Sequence, residues 1–316
     1  MPSEMDAALG IDVGGTNVRV AVLDARTGAV LAVRRGALAG RTPEQVVRAV
    51  AVAAREAMAA AGVRPAVAGA GVAAQLDGDS GRVLSAPNLG WRDVALGEML
   101  GAALGLPVRV VNDLTAAAWG EYRHGAARGQ SGALVVFAGT GVGAAVVVDG
   151  RLLAGARGVA GEIGHVKVEP PPGEAERSCG CGARGCLEAY VGGAGIAARL
   201  ALARSAGNAA GLSSPNDVER AALAGDAWAR AFWEATAGRL GRAVADAVTL
   251  LDPGTLVLGG GLLLGNPSLL AAVERVIRAE ASQTALEGLF LTRAALGDDA
   301  GVIGAALLAV TSRTVK

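Results

Sequence analysis

The sequence predicts an α/β protein of two similar lobes, and three observations carry that prediction. Apolar, β-branched runs of strand length alternate with longer stretches of helical character. The strand, glycine turn and strand that open the chain around Gly15-Thr16 recur around Gly139-Thr140. The chain has 316 residues, enough for two cores.

Taken in order, Ala8–Val13 is an apolar strand that ends in Gly14-Gly15-Thr16. Val18–Leu23 is the second strand, Asp24–Gly28 a turn and Ala29–Val33 the third strand, so the chain opens as a meander. Pro43 suits a first helical turn and starts a helix through Ala61, with Gly62 as its stop. Pro65–Val72 reads as a strand, Val94–Leu104 as a helix and Pro107–Val111 as a buried strand. Asn112-Asp113 follows, and a helix begins at Leu114.

The pattern then restarts. Ala133–Ala138 is a strand ending in Gly139-Thr140-Gly141, Gly143–Val148 is the next strand, and Asp149-Gly150 is a hairpin turn. Helices are expected near 216–224 and 227–250, and a strand at Thr255–Leu258 leads into Gly259-Gly260-Gly261. Pro267–Glu280 reads as a helix, Leu289–Ala294 as a strand and Ala300–Val310 as a closing helix. The proline-rich Glu169–Ser178 is a loop. The repeat implies two lobes with a cleft between them. The expected division is 1–118, joined by 300–316, against 119–299.

Charge and cysteine usage narrow the class. Lys+Arg and Asp+Glu are both 29, which gives no electrostatic reason to expect a nucleic acid or an anionic membrane as partner. Residues 132–148 lack charge, but Gly139, Thr140, Gly141 and Gly143 interrupt the run, so no membrane span is expected. Met1–Asp6 shows no basic leader. The three cysteines are an odd number, too close together for a disulfide framework, and point to a reducing, cytoplasmic compartment.

All three cysteines and one of the two histidines lie within 165–186: His165, Cys179, Cys181 and Cys186. Three thiols and one imidazole form a closed tetrahedral ligand set, that of a structural zinc site. Glu162 and Glu188 flank the cluster, and each can accept bonds from sugar hydroxyls. His165 can bind zinc through one nitrogen and offer the other to a ligand or a carboxylate. His124 has no such company and is expected at a surface or helix end.

Asp12-Val13-Gly14-Gly15-Thr16 joins two strands. Its glycines let backbone N–H groups approach an anion, Thr16 adds a hydroxyl, and Asp12 can orient a hydrated Mg²⁺. Gly139-Thr140-Gly141 repeats the device. A plain hairpin with a glycine turn remains the alternative for either one. No helix opens from them and no Gly-Lys-Ser/Thr ending follows, which excludes a dinucleotide fingerprint and a Walker loop. Gly259, Gly260 and Gly261 can let an adenine and ribose lie against the backbone. Asp113, at a strand tip, is either a helix N-cap or the base that takes a proton from an attacking hydroxyl.

These residues carry a resemblance to the sugar kinases of the ROK family (repressors, open reading frames, kinases), most of all to its bacterial glucokinases. Asp12–Thr16 resembles the family's first phosphate motif, Gly139–Gly141 its second and Leu258–Gly261 its adenosine segment. Gly155–His165 is similar to the stretch that ends in the sugar-binding Glu and zinc-binding His. Cys179–Glu188 matches Cys-x-Cys-Gly-x-x-Gly-Cys-x-Glu. A departure lies at Ala73-Ala74-Gln75-Leu76-Asp77, where members often carry Pro-Gly.

The resemblance implies an actin-like, ribonuclease H-like α/β fold with a zinc-pinned turn in the second lobe. It implies Asp113 as catalytic base, and Asn88, Asn112, Glu162, His165 and Glu188 as sugar ligands. ATP with Mg²⁺ is the expected donor, ahead of polyphosphate, and the 6-hydroxyl of glucose the acceptor. Other acceptors are fructose, mannose or an N-acetylhexosamine. A homodimer or homotetramer is expected. A sugar-responsive repressor would need a helix-turn-helix before Ala8, for which these first residues leave no room.

Overall fold

The computed structural model describes residues 7–78, 80–171 and 174–311. Met1–Asp6, Pro172-Gly173 of the proline loop and residues 312–316, all part of the expectations above, lie outside the described residues. The chain divides into two compact units. The first runs to residue 129 and adds 152–160 and the chain from 295 on; the second holds 130–151 and 161–294.

The first unit contains β1 (Ala7–Val13), β2 (Asn17–Asp24), β3 (Val30–Ala37), α1 (Pro43–Ala61), β4 (Val67–Val72), β5 (Gln75–Asp77), β6 (Arg82–Ala86), β7 (Trp91–Val94), α2 (Leu96–Leu104), β8 (Val108–Asn112) and α3 (Asp113–His124). Its main sheet has the order β3-β2-β1-β4-β8. The opening meander is antiparallel, and β4 and β8 then add in parallel. All of β4 and nearly all of β1 are buried, which is why both read as unbroken small apolar runs.

The two ends of α1 are written in its sequence. Thr42 accepts from the Gln45 amide, the Gln45 side chain answers on the Thr42 amide, Pro43 takes the first turn, and Gly62 closes the helix at φ 66°. Its buried stripe Val46, Val50, Ala53, Ala54 and Ala57 packs into one core with Leu9, Ile11 and Val13. The short sheet β5-β6-β7 was not expected from sequence. Its last strand takes Trp91–Val94, so α2 starts at Leu96 and not at Val94.

Much of the second unit copies this plan. It holds β9 (Ala133–Ala138), β10 (Val142–Val148), the first residue of β11 (Arg151–Leu152), α4 (Glu188–Val191), α5 (Gly193–Ser205), α6 (Pro215–Leu223), α7 (Ala227–Leu251), β12 (Thr255–Gly259), α8 (Gly261–Leu264), α9 (Pro267–Glu280), α10 (Gln283–Leu286) and β13 (Phe290–Arg293). Its sheet order, β11-β10-β9-β12-β13, repeats that of the first unit, with β10 antiparallel to β9 and β12 and β13 parallel. The internal repeat is thus a repeat of topology. Trp233, Leu240 and Val244 of α7 fill the core, and the Trp233 indole donates to the buried Glu219 at 2.8 Å.

The closing helix, α11 (Ala300–Thr311), belongs to the first unit. Glycines let it touch backbone on two sides. A Cβ at Gly10 would lie 1.9 Å from the Val302 carbonyl oxygen, and one at Gly304 would lie 1.7 Å from that of Ala116 in α3. The buried Glu121 near the end of α3 ties down the loop before α11. Its carboxylate accepts from the amides of Ala295, Leu296 and Ala126 at 2.8–3.0 Å. Among the described residues no helix is long and apolar enough to cross a membrane.

Candidate active site

In the first unit, β1 delivers Asp12 and the Gly14-Gly15-Thr16 turn, and β8 delivers Asn112 and Asp113 two strands away in the same sheet. The turn closes through the Gly14 amide on the Asn17 carbonyl at 2.9 Å. Gly15 faces open space. Asn112, rather than Asp113, caps α3: its Oδ1 accepts from Leu114 and Thr115 at 3.0 and 3.1 Å. Asp113 is therefore the first helical residue, which corrects the start expected at Leu114. Its Oδ1 accepts from Leu114 at 2.9 Å, while the Asn112 side-chain Nδ2 donates to the Ala74 carbonyl at 3.4 Å.

Asp12 sits close enough to Asp113 to feel its charge. Burial pushes the Asp12 carboxyl up to about 6, the Asp113 carboxylate adds to this, Arg19 opposes it and Asp298 adds a smaller push. Arg19 faces Asp12 across the β1–β2 ladder, yet its guanidinium is held by Asp298, at 3.3 Å, and by Asp299. Asp12, Arg19 and Asp298 line one cavity with Gly14, Thr16 and Asn17. Two half-buried carboxylates beside a glycine turn are a hard-oxygen setting that suits a divalent cation and a polyphosphate.

Arg41 was missed from sequence. Its Nε donates to the Gly15 carbonyl at 3.0 Å and its NH1 to that of Asn88 at 3.3 Å, so it links the first turn to the exposed Asn88 loop. Arg19, Asp298 and Asp299 were missed as well. Nothing local marks any of them, because each finds its partners far along the chain.

In the second unit, Gly139-Thr140-Gly141 joins β9 to β10. The Gly193 amide at the start of α5 donates to the carbonyls of Gly139 and Thr140, both at 2.9 Å. Gly260, at φ 90°, lies against β9, where a Cβ would meet the Ala138 oxygen at 2.3 Å. Gly259 is held small by Phe137 and Ala294, whereas Gly261 is open. The glycine triplet therefore sits directly beside the second turn.

The segment Gly161-Glu162-Ile163-Gly164-His165 lies against β10. A Cβ on Gly161 or Gly164 would come within 2.1 Å of the Ala144 or Val142 carbonyl oxygen. Those contacts fix Glu162 and His165 on either side of a short 3₁₀ turn. His165 Nδ1 is 3.7 Å from Cys179 Sγ, and its Nε2 is 3.6 Å from Glu162 Oε2.

The four ligand atoms of His165, Cys179, Cys181 and Cys186 lie within 4.8 Å of one another. Cys181 Sγ and Cys186 Sγ are 3.8 Å apart, too far for a disulfide and equal to the edge, about 3.8 Å, of a tetrahedron with Zn–S bonds of about 2.3 Å. Burial, with bonds from the neighbouring thiols, pushes the Cys179 thiol up to about 11. A bound cation would reverse that. Lys167 Nζ donates to Cys186 Sγ at 3.2 Å. The donor set thus fits zinc, which would be bound through Nδ1 and leave Nε2 facing Glu162.

Glu188 begins α4 two residues after Cys186. Its Oε2 accepts from the Val142 amide at 2.9 Å, so the carboxylate expected at a sugar also touches the second glycine turn. His124 is the last residue of α3 and is half-buried, as expected for a helix end.

Comparison with known proteins follows the same lines. The ROK family profile matches residues 8–312. A glucokinase of Streptomyces coelicolor is 32% identical over 96% of this chain and 98% of its own. An N-acetylmannosamine kinase of Escherichia coli O157:H7 is 36% identical over 95% of this chain and 97% of its own. The crystal structure of a ROK family glucokinase from Streptomyces griseus, in complex with glucose and AMPPNP, superposes with a TM-score of 0.81 at 31% identity, over 96% of this chain and 99% of that one.

Proposed function

Since the chain belongs to the ROK family, we propose that it is an ATP-dependent sugar kinase whose acceptor is the 6-hydroxyl of glucose. The observation that carries this reading is the acidic pair beside the first glycine turn, where Asp12 responds to the charge of Asp113. Phosphoryl transfer asks little covalent chemistry of a protein: a base at the acceptor, donors at the phosphates, and charge neutralisation.

Asp113 takes the proton of the 6-hydroxyl as that oxygen bonds to the γ-phosphorus. The bond from that phosphorus to the β,γ-bridging oxygen breaks, and ADP leaves. Magnesium bound with ATP would supply charge neutralisation at the phosphates, and Asp12 is the residue that would hold it, through water. The glycine turns at 14–16 and 139–141 offer backbone N–H groups to phosphate oxygens, and Gly259–Gly261 accommodates the adenosine. Asn88, Asn112, Glu162, His165 and Glu188 hold the other sugar hydroxyls. Zinc on His165 and the three cysteines is structural, since four protein ligands leave no open position.

N-acetylmannosamine is the second acceptor to weigh, favoured by the Escherichia coli relative. A coupled phosphorylation assay with ATP and Mg²⁺ across glucose, fructose, mannose, N-acetylglucosamine and N-acetylmannosamine separates the two. Glucose is expected to give the highest kcat/KM. A higher value for N-acetylmannosamine moves the assignment to that sugar, and no turnover of any hexose overturns the kinase reading.

A further inference from the structure

Glu188 has two neighbours that a sugar ligand does not require. Its Oε2 accepts the Val142 amide at 2.9 Å, where the second glycine turn enters β10. It also fills the space beside Gly141, where a Cβ would lie 2.5 Å from the same oxygen. The backbone that follows repeats the contact: Gly192 bonds back to the Glu188 carbonyl, and Gly193 donates to Gly139 and Thr140. A Cβ on Gly192 would sit 2.9 Å from the Glu188 carbonyl and 3.0 Å from that of Thr140. The 139–141 turn is thus clamped from one side by residues 188–193. That side is anchored in turn, because Leu187 is fully buried and Cys186, two residues before Glu188, belongs to the cysteine–histidine cluster.

We infer that Glu188 is a positioning residue for the second glycine turn, holding it in its nucleotide-binding form, in addition to any contact with sugar. A carboxylate has two oxygens and about four acceptor sites. Oε2 serves the turn, and Oε1 is the oxygen that remains for a hydroxyl. Removing the side chain leaves the Val142 amide without its acceptor at the mouth of the turn, and an unmade bond to a charged group is costly. The consequence is specific. Truncation of Glu188 weakens nucleotide binding even when no sugar is present, an effect that a residue serving only the sugar cannot have. This rests on reading the 139–141 turn as a phosphate-binding element.

The test uses the zinc-loaded 316-residue chain, with two readouts for each variant: amide hydrogen exchange over 139–142, and calorimetric binding of AMPPNP without sugar. Glu188→Ala is expected to speed exchange in that segment and to weaken AMPPNP about tenfold, the size of effect of losing one charged hydrogen bond. Glu188→Gln keeps a carbonyl oxygen for Val142 and should restore both to within about threefold of wild type. Gly141→Ala leaves Glu188 in place but pushes it off the turn, and should reproduce the faster exchange, which keeps the test alive if Glu188→Ala fails to fold. Wild-type exchange and AMPPNP affinity in Glu188→Ala would overturn the inference. So would Glu188→Gln behaving like Glu188→Ala. A wild-type chain that bound no AMPPNP would instead sink the kinase reading, while the exchange arm would still decide whether Glu188 braces the turn.

Discussion

The first glycine turn, Gly14-Gly15-Thr16, joins β1 to β2, and the second, Gly139-Thr140-Gly141, joins β9 to β10, at the same place in two sheets of the same strand order. Their supports differ. The first turn is open at Gly15 and is held at arm's length by Arg41. Around it lies charge: Asp12, Asp113, Arg19 and Asp298. The second turn is closed in by Glu188, Gly192 and Gly193, and a Cβ on Gly141 would lie 2.5 Å from Glu188 Oε2. One topology thus surrounds its glycine turn with charge in one unit and with packed backbone and a carboxylate in the other.

The sharpest way to break this comparison is at Asp113. Asp113→Asn is expected to cut kcat by about 10²–10⁴-fold, the range of a general base, while sugar affinity in calorimetry stays within a few-fold. A kcat near wild type would remove the base from the first unit and with it the division of labour.

Metal removal addresses the second unit. Stripping zinc with a chelator should lower the melting temperature by roughly 10 °C, a few kcal/mol for a chain of this kind. It should also weaken both glucose and AMPPNP, since Glu162, His165 and Glu188 are placed by the cluster or beside it. Metal-free protein with unchanged melting and affinities would make the cluster incidental to the site.

A paired substitution compares the turns directly. Gly141→Ala should raise the nucleotide KM by about tenfold, whereas Gly15→Ala, whose Cβ meets nothing within 4 Å, should stay within about threefold. Equal effects would mean that the two turns are held alike.

The charged surroundings of the first turn should also show in the pH dependence of stability. The folded Asp12 carboxyl lies at about 6 against an ordinary 3.8. A raised carboxyl favours the protonated form in the folded state. Its stabilising contribution, at most about 3 kcal/mol, is therefore complete below about 4 and is lost as pH rises through 6. Urea unfolding of the ligand-free protein should show Asp12→Asn gaining on wild type as pH goes from 4 to 7. A constant difference across that window would mean that Asp12 titrates normally.

Legibility from sequence followed the range of the interaction. Helix α1 was readable to the residue, because Pro43 and Gly62 act within one turn of chain. The cysteine–histidine cluster was readable because its residue types are rare in this chain and close in sequence. The β5-β6-β7 sheet was hidden by short strands interrupted by charge, and α5 by a start of Gly193, Ala194 and Gly195, which carries no amphipathic stripe. Arg41, Arg19 and Asp298, like Glu121 under the loop before α11, were unreadable, since their partners lie tens to hundreds of residues away.

By itself the sequence determined the doubled α/β plan, the two glycine turns, the cysteine–histidine cluster and the acidic residue at the tip of β8. Backbone preference, apolar period and ligand chemistry act over a few residues and need no partner from elsewhere. Only the tertiary structure decided that Asn112 rather than Asp113 caps α3, that Arg19 is held off Asp12 by Asp298 and Asp299, and that Glu188 grips the second turn. Each of these depends on which of several polar groups wins a shared donor or acceptor, and that competition is settled by distances that exist only once the chain is folded.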